Sequence, residues 1–372
     1  VGAERSIIGV GRYVYLRCEG GLQLRGLSLP KALFYKEWRS ARWGWAGLTL
    51  MLVLSKALRA QRGLAWLKEL SKHRSLALAH QSYWFQEFLY GNDGLSFLLV
   101  VALAALTFLL FQQDRRGATA SLLGSMPFTK GQIYDVKWLT GAGIIIGAFL
   151  INGILLTAFY FINHDWMLDT PYQVIPGWTS LYLFYSLALY SFFFFVHSAM
   201  GHSLAAALVG PISSLVPAFV MMGLRGVIYY NTDLAAGDAI YAWFSRVSDA
   251  LAWPYLIAPG YVTDADGVLL YPVFDNLGVR LLVLASITVV CALLGRTLFR
   301  RNAVEKAGEL LMFSALEMVF IYGFALCSGL LLSQLFGLGY GREGVAMMNT
   351  LLGGGFIGGW LAAKKVVLYY RQ

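Results

Sequence analysis

The chain has 372 residues, of which 58% are hydrophobic and only 13% are charged, whereas a soluble domain usually carries about 25% charged residues. The mean hydropathy of +0.62 and the long continuous apolar runs indicate a polytopic helical membrane protein and disfavour a β-barrel, whose strands alternate. The net charge of +9 comes from Lys and Arg spread through the loops, which is the usual orientation signal of membrane proteins and not a nucleic-acid-binding surface.

The N-terminal part divides into two segments. Residues 1–27 are Gly-rich and lack periodicity, so we expect a disordered or non-native extension. Residues 29–43, LPKALFYKEWRSARW, alternate apolar and aromatic residues with basic ones. At helical spacing this pattern predicts an amphipathic helix in the plane of the cytosolic interface, and it also serves as a positive flank for a following span. Its candidate interfacial residues are Lys36, Trp38, Arg39 and Arg42.

Span-length windows predict about eight transmembrane helices. The first is the weakest, because it crosses the membrane only if Lys56 and Arg59 reach back to the interface. Lys and Arg concentrate in the segments that are inside when both termini are cytoplasmic, which favours that topology. If the first span does not cross, the topology shifts by one; if it does, the basic segment 56–93 lies on the outer surface. The predicted spans are 43–58, 94–111, 139–162, 178–200, 204–224, 278–295, 315–336 and 345–363.

Two loops carry structure of their own. Residues 112–137 are basic on balance and contain Pro127, which ends one helix, and Thr129 and Gln132, which have capping-box spacing and start another. Residues 225–277 contain six Asp and an aromatic stretch, YAWFSRVSDALAWPYLI. We expect this loop to be outside, with a re-entrant or surface helix.

Three stretches resemble a known family. LFYKEWRSARW is similar to the cytosolic elbow helix of ABC-2-type transporter permeases, and ATASLLGSMPFTKGQIYDVKWLTG resembles their coupling-helix region. VEKAGELLMFSALEMVFIYG resembles a Gram-positive subgroup often encoded beside a GntR-type regulator. The coupling pattern, LLxxLPxxxxxIxxxKxL, is carried by Leu122, Leu123, Met126, Pro127, Ile133, Lys137 and Leu139, with Met126 in place of the commoner Leu.

The resemblance implies a permease subunit of an ABC transporter, an exporter in the plasma membrane, with no enzymatic activity of its own. It implies three partners: a separate ABC ATPase, a second permease subunit and membrane lipids. The sequence contains no G-x-x-x-x-G-K-[ST] phosphate loop, so ATP is expected on the partner and no cofactor on this chain. The expected ATPase contact is residues 117–134, with site residues Leu122, Leu123, Met126, Pro127, Phe128, Thr129 and Gln132.

The resulting prediction is an all-α polytopic protein with an interfacial elbow helix and a cytosolic coupling helix. It divides into an extension (1–27), an ABC-2-like core (28–300) and a C-terminal two-helix extension (301–372). Glu317 is the one candidate intramembrane polar residue; it either pairs with Arg300, Arg301 or Lys306, or lies at the cytosolic edge. No catalytic or metal-binding residues are predicted. The alternative functions are a secondary transporter and an integral-membrane lipid-processing enzyme, for which the sequence offers neither paired buried charges nor a His/Asp/Glu cluster.

Overall fold

The computed structural model describes residues 31–72, 83–91, 94–112, 128–167, 170–232, 239–263, 269–301, 309–337 and 344–369. The predictions for residues 1–27 and for Leu122, Leu123, Met126 and Pro127 lie outside these ranges. Within them the chain is almost entirely helical, which confirms the predicted all-α polytopic class. A small antiparallel hairpin is the exception.

The helices and strands follow one another in simple order. The bounds are α1 Lys31–Leu52, a π-helical turn Val53–Ala57, α2 Leu58–Leu70, α3 Trp84–Tyr90, α4 Leu95–Gln112, α5 Lys130–Ile162, α6 Val174–Ala199, α7 Ser203–Asn231, α8 Ala239–Leu251, β1 Gly260–Thr263, β2 Leu269–Val273, α9 Leu277–Arg301, α10 Ser314–Gly337 and α11 Val345–Tyr369. Short 3₁₀ turns cover His164–Trp166 and Trp253–Tyr255.

Seven helical stretches within the described residues are long and apolar enough to cross a membrane. They correspond to the second to eighth predicted spans. The helix α5 begins nine residues before the predicted span 139–162, because its first turns are polar but still helical. The α8 helix and the 3₁₀ turn after it cover the aromatic stretch for which a surface or re-entrant helix was predicted.

The first predicted span is not among those seven, but the chain there is one unbroken helical run from Lys31 through Leu70. Its inner end packs beside the start of α5, where Leu33 joins Ile133 and Val136 in one cluster. Further along, Trp45 faces Gly147 of α5. The run therefore passes alongside α5 in the same direction. Charged residues lie in both halves of this run and lower its hydropathy.

The elbow region differs from the expectation of a separate helix. Residues 31–43 form the first three turns of α1 and continue into the span without interruption. The buried positions Leu33, Ala41, Leu48 and Leu52 follow one face of this helix, so a single packing stripe holds both parts against the rest of the protein.

The core is built from α1 to α6 and α9, packed around large aromatic side chains. Phe85, Phe149, Trp178 and Phe194 are among its fully buried residues. Outside this core, α10 and α11 form a close helical pair: Gly355 and Gly359 bring the α11 backbone against Gly329, Ser328 and Ala325 of α10. Small residues at a crossing allow such an approach within a membrane.

The helix ends gather into two opposite layers. One layer holds the starts of α1 and α5 and a short backbone pairing of Met200 with Leu311, near Val367 at the end of α11. The other holds α2, α3 and the β-hairpin, in which Gln86 Nε2 donates to the Pro272 carbonyl at 2.7 Å. Both ends of the described chain thus lie in the first layer, as an even number of crossings requires.

Lys56 was expected to reach back to the interface and does not, and Arg280 is likewise bound by backbone carbonyls. Lys56 is fully buried, and its Nζ donates to the carbonyls of Phe88 (3.3 Å) and Leu89 (3.0 Å) at the end of α3. Arg280 donates through Nη1 to the carbonyls of Leu256 (2.8 Å) and Ala258 (2.7 Å). Backbone carbonyls that lack helical partners are strong acceptors, and they replace the lipid headgroups that the sequence suggested.

Candidate functional site

The polar start of α5 is the best-defined site on the layer that contains both chain ends. It is closed by the predicted capping box: Gln132 N donates to Thr129 Oγ1 at 3.2 Å, and Thr129 N donates to Gln132 Oε1 at 3.0 Å. Each side chain satisfies a backbone amide that the first turn would otherwise leave unpaired. The start of α5 is therefore a well-formed helix terminus.

Apolar contacts hold the same helix start on its inner side. Ile133 and Val136 are buried together with Leu33 of α1. Phe128 and Phe299 pack against this group as partly buried neighbours. Phe128, the last residue before the capping box, is therefore anchored to α1 and α9 by packing.

A buried ion pair joins α5 to α1. Lys137 Nζ lies 2.7 Å from Glu37 Oε2, and both side chains are almost fully buried. Lys137 Nζ also donates to the Leu110 carbonyl at 2.7 Å, near the end of α4. Lys36 Nζ approaches the other Glu37 oxygen at 3.4 Å. One ammonium group thus connects three helices, and the charges are compensated where water is excluded.

Polar contacts on the other side join α5 to α9 and α6. Tyr134 Oη donates to the Ala292 carbonyl at 2.8 Å, and Arg296 pairs with Asp135 at 2.7 Å. Tyr190 Oη donates to the carbonyls of Lys137 (3.3 Å) and Trp138 (3.2 Å). The first turns of α5 are therefore held by α1, α4, α6 and α9 together, and a displacement of this segment cannot leave those helices unaffected.

The predicted elbow residues lie around the same layer. Trp38 packs against Trp45, with ring centroids 6.1 Å apart, and the Arg42 guanidinium lies 5.6 Å from the Trp43 ring centroid. The side chains of Arg39 and Arg42 are exposed. These contacts leave the basic groups at the helix surface, and their interfacial role stays a prediction.

Glu317 lies in the first turn of α10 and is partly buried. Over the described residues it forms no ion pair with Arg300 or Arg301, and Lys306 lies outside them. A carboxylate in the first turn is favoured by the helix dipole, so its position needs no basic partner.

Sequence reasoning missed Glu37. Lys137 was included through the family pattern, but its partner was hidden as the single acid within a strongly basic run. The available signal was that one acid, because a carboxylate among four basic residues on an amphipathic helix suggests a cation elsewhere that it pairs with.

This arrangement is that of a multi-pass helical membrane protein with a braced polar segment at one layer of helix ends. Residues 68–240 match the family model described as ABC-2 family transporter protein. The match extends from the end of α2 to the start of α8 and includes the candidate site on α5. It confirms the resemblance to ABC-2-type permeases over these residues and supports an ABC transporter permease. None of the curated proteins matches the chain, and no solved structure matches it.

Proposed function

We propose that this permease works as an exporter subunit, energised by a separate ABC ATPase that docks on residues 117–134. The observation that carries the proposal is the braced start of α5, where Lys137 connects Glu37 on α1 with the Leu110 carbonyl on α4. A segment that receives force from a partner must not deform locally. The proposed docking segment adjoins α5, whose start is capped and held by contacts with neighbouring helices.

The transmission we propose has two steps. ATP-driven movement of the ATPase displaces the segment before Phe128, and the capped helix start passes that displacement to α5. The contacts of α5 with α1, α4, α6 and α9 then shift these helices together. Energy from hydrolysis reaches the membrane through contact alone, since this sequence carries no phosphate loop.

The proposed orientation places both chain ends in the cytoplasm and the protein in the plasma membrane. It is supported by basic residues at the layer that contains those ends, including Arg296, Arg300 and Arg301 at the end of α9 and Lys364 and Lys365 near the end of α11. A second permease subunit, identical or related, completes the proposed assembly.

The first prediction tests the docking segment. Changing Leu122→Asp together with Leu123→Asp puts two charges where the short helix is expected to bury apolar side chains in an ATPase groove. Loss of two such contacts costs roughly 2–5 kcal/mol of docking energy. We therefore expect the double variant to insert normally but to lose the ATPase when the tagged permease is purified from membranes, as measured by subunit stoichiometry and ATP hydrolysis.

The matched control places the same two charges in the other proposed cytosolic loop, as Asn302→Asp with Ala303→Asp. This control should retain the ATPase at wild-type stoichiometry. If the 122/123 variant still recruits and stimulates the ATPase, the docking assignment is wrong. If the 302/303 variant loses it instead, docking belongs to residues 296–314.

A further inference from the structure

The outward face of the helical run from α1 into α2 changes character along its length. Its central part exposes Leu50, Leu54 and Leu58, which recur every four residues and so lie on one face. The next position in that series is Arg62, and Arg59 and Trp66 flank it; all three are exposed. An apolar stripe thus ends in a group of two cations and an aromatic ring.

The length of this pattern matches half a bilayer. At about 1.5 Å per residue, Leu50 and Arg62 are separated by about 18 Å along the helix, and one leaflet of hydrocarbon is about 15 Å thick. The exposed Trp43 near the other end and Trp66 are about 34 Å apart by the same rise, close to the full hydrocarbon thickness of about 30 Å. The two tryptophans therefore suit the two interfaces.

The basic residues at this end contradict the rule that governs the rest of the chain, since the other layer is the one favoured for positive charge. Two of them have roles within the protein. Lys56 donates to the carbonyls at the end of α3, and Lys68 lies 5.4 Å from the Trp166 ring centroid. Arg59 and Arg62 are exposed and lie beside the apolar stripe.

The buried side of α2 explains why this group keeps its position. Ala60, Leu64 and Leu67 face the protein and are almost inaccessible, and Gly63 lets the Trp84 ring approach closely. The helix cannot rotate to hide its basic face without exposing these residues. Arg59, Arg62 and Trp66 thus form a fixed cationic and aromatic group at the depth of the headgroups.

We propose that this face is a binding site for an anionic phospholipid of the outer leaflet. The acyl chain lies along Leu50, Leu54 and Leu58. The phosphate accepts hydrogen bonds from Arg59 and Arg62, whose planar fork suits phosphate oxygens. Trp66 covers the glycerol region. The assignment of this lipid to the outer leaflet rests on the orientation given under Proposed function. The lipid contact itself is independent of that orientation.

The test uses the full chain in nanodiscs of phosphatidylcholine with a minor fraction of phosphatidylglycerol. A photo-crosslinking residue replaces Ala65, which is exposed on α2, and in a second variant it replaces Val101, a lipid-facing position of α4. Mass spectrometry of the cross-linked peptide identifies the captured lipid. At position 65 we expect phosphatidylglycerol to be enriched over its share in the bilayer on the order of tenfold, and at position 101 we expect no enrichment.

Three variants decide the origin of the enrichment. Arg59→Gln with Arg62→Gln should reduce it to the bilayer ratio while leaving capture at position 101 unchanged, which also shows that the protein is folded. Arg59→Lys with Arg62→Lys should retain a reduced enrichment, and Arg246→Gln, an exposed cation of α8, should have no effect. Retained enrichment in the Gln variant, or none in the parent protein, would overturn the proposal.

A final competition experiment distinguishes binding of a lipid from binding of free phosphate. Inorganic phosphate, compared with chloride at equal ionic strength, should not displace the captured lipid, because the acyl chain contributes to binding. Displacement by phosphate alone would assign the site to a soluble anion. None of these measurements involves the ATPase, so their outcome is independent of the docking experiment.

Discussion

At the scale of single residues, the Glu37–Lys137 pair is the most consequential contact in the described chain. A buried ion pair gives little net stability compared with apolar residues of the same size, because the cost of desolvating both charges offsets their attraction. Removing one partner is different, since it leaves an uncompensated charge. The pair therefore specifies which surfaces of α1, α4 and α5 meet rather than holding them together more tightly.

The second prediction follows from this asymmetry. Glu37→Met and Lys137→Met, each alone, should destabilise the protein by about 3–5 kcal/mol. The double change to Met at both positions should recover most of that loss, because neither charge remains. Thermal unfolding of the purified chain in detergent, read by intrinsic tryptophan fluorescence, would measure the three variants under identical conditions.

A second readout separates stability from transmission. If the pair positions the helices, the double variant should be stable yet stimulate the ATPase less than the parent permease does. Equal losses of stability in the single and double variants would mean that the side chains act independently, and the bridging role would have to be abandoned.

The residue scale also marks the limit of what the sequence revealed. The capping box was predicted from spacing alone and is present, because its bonds join residues only three apart. Glu37 and Lys137 are a hundred residues apart in the chain, so no local pattern connects them. Lys56 was wrongly expected at the interface for the same reason: its acceptors, at the end of α3, come from a distant segment.

At the scale of elements, the pairing of α10 with α11 depends on which glycines face the crossing. Gly354, Gly355, Gly358 and Gly359 all have the small-residue spacing that allows close helix packing. Only two of them meet α10: a Cβ at Gly359 would lie 2.7 Å from Ser328 Cβ, and one at Gly355 would lie 2.9 Å from the Gly329 Cα. Gly354 and Gly358 face open space, where lipid or a second subunit can approach.

The third prediction uses these neighbours as a matched pair. Gly359→Leu should separate α10 from α11, because the α10 backbone and the Ser328 side chain occupy the required volume. Gly358→Leu should be tolerated, because nothing lies within 4 Å of a Cβ there. Overpacking costs typically 1–3 kcal/mol. A disulfide cross-linking assay between α10 and α11, with thermal stability measured in parallel, would compare the two variants.

The opposite ranking, with Gly358→Leu the more damaging, would mean that this face of α11 is covered by another subunit in the native assembly. No effect from either substitution would contradict the close approach of the two helices.

Most elements could be predicted because apolar length is a local property. The spans in α6, α7 and α9 begin within a few residues of their predicted starts. The first span could not be delimited, since its basic second half reads as a surface segment. The structure instead continues it as helix to Leu70, with Ala60, Leu64 and Leu67 buried against the protein. These residues are buried by α3 and α5, which come later in the chain, so the sequence of the first span alone could not predict their burial.

At the scale of the whole molecule, the alternation of helix ends between two layers predicts on which side of the membrane each loop lies. The fourth prediction is that a cysteine placed at Lys36 is not labelled by an impermeant maleimide in intact cells, whereas one placed at Asp264 is. The strand β1 ends at Thr263 and pairs with β2, which contacts α3 through Gln86 in the layer opposite the chain ends. Permeabilising the cells should expose position 36, in a background where the native cysteines are replaced.

Strong labelling at position 36 in intact cells would reverse the proposed orientation. Protection of both positions 36 and 264 would mean that the chain crosses the membrane an even number of times between them. The proposed topology has five crossings there, so the span count would have to change by one.

The unbroken helical run from Lys31 to Leu70 also sets how motion can be distributed through the protein. At about 1.5 Å per residue it is about 60 Å long, twice the hydrocarbon thickness. It is fastened near one end by Glu37 and Lys137, and near the other by Lys56 and by Lys68 against Trp166. A stiff rod fastened at two levels cannot tilt at one face of the membrane while the other stays still. Any movement imposed at the layer that contains the chain ends is therefore transmitted to the opposite layer, unless the π-helical turn at Val53–Ala57 bends and absorbs it.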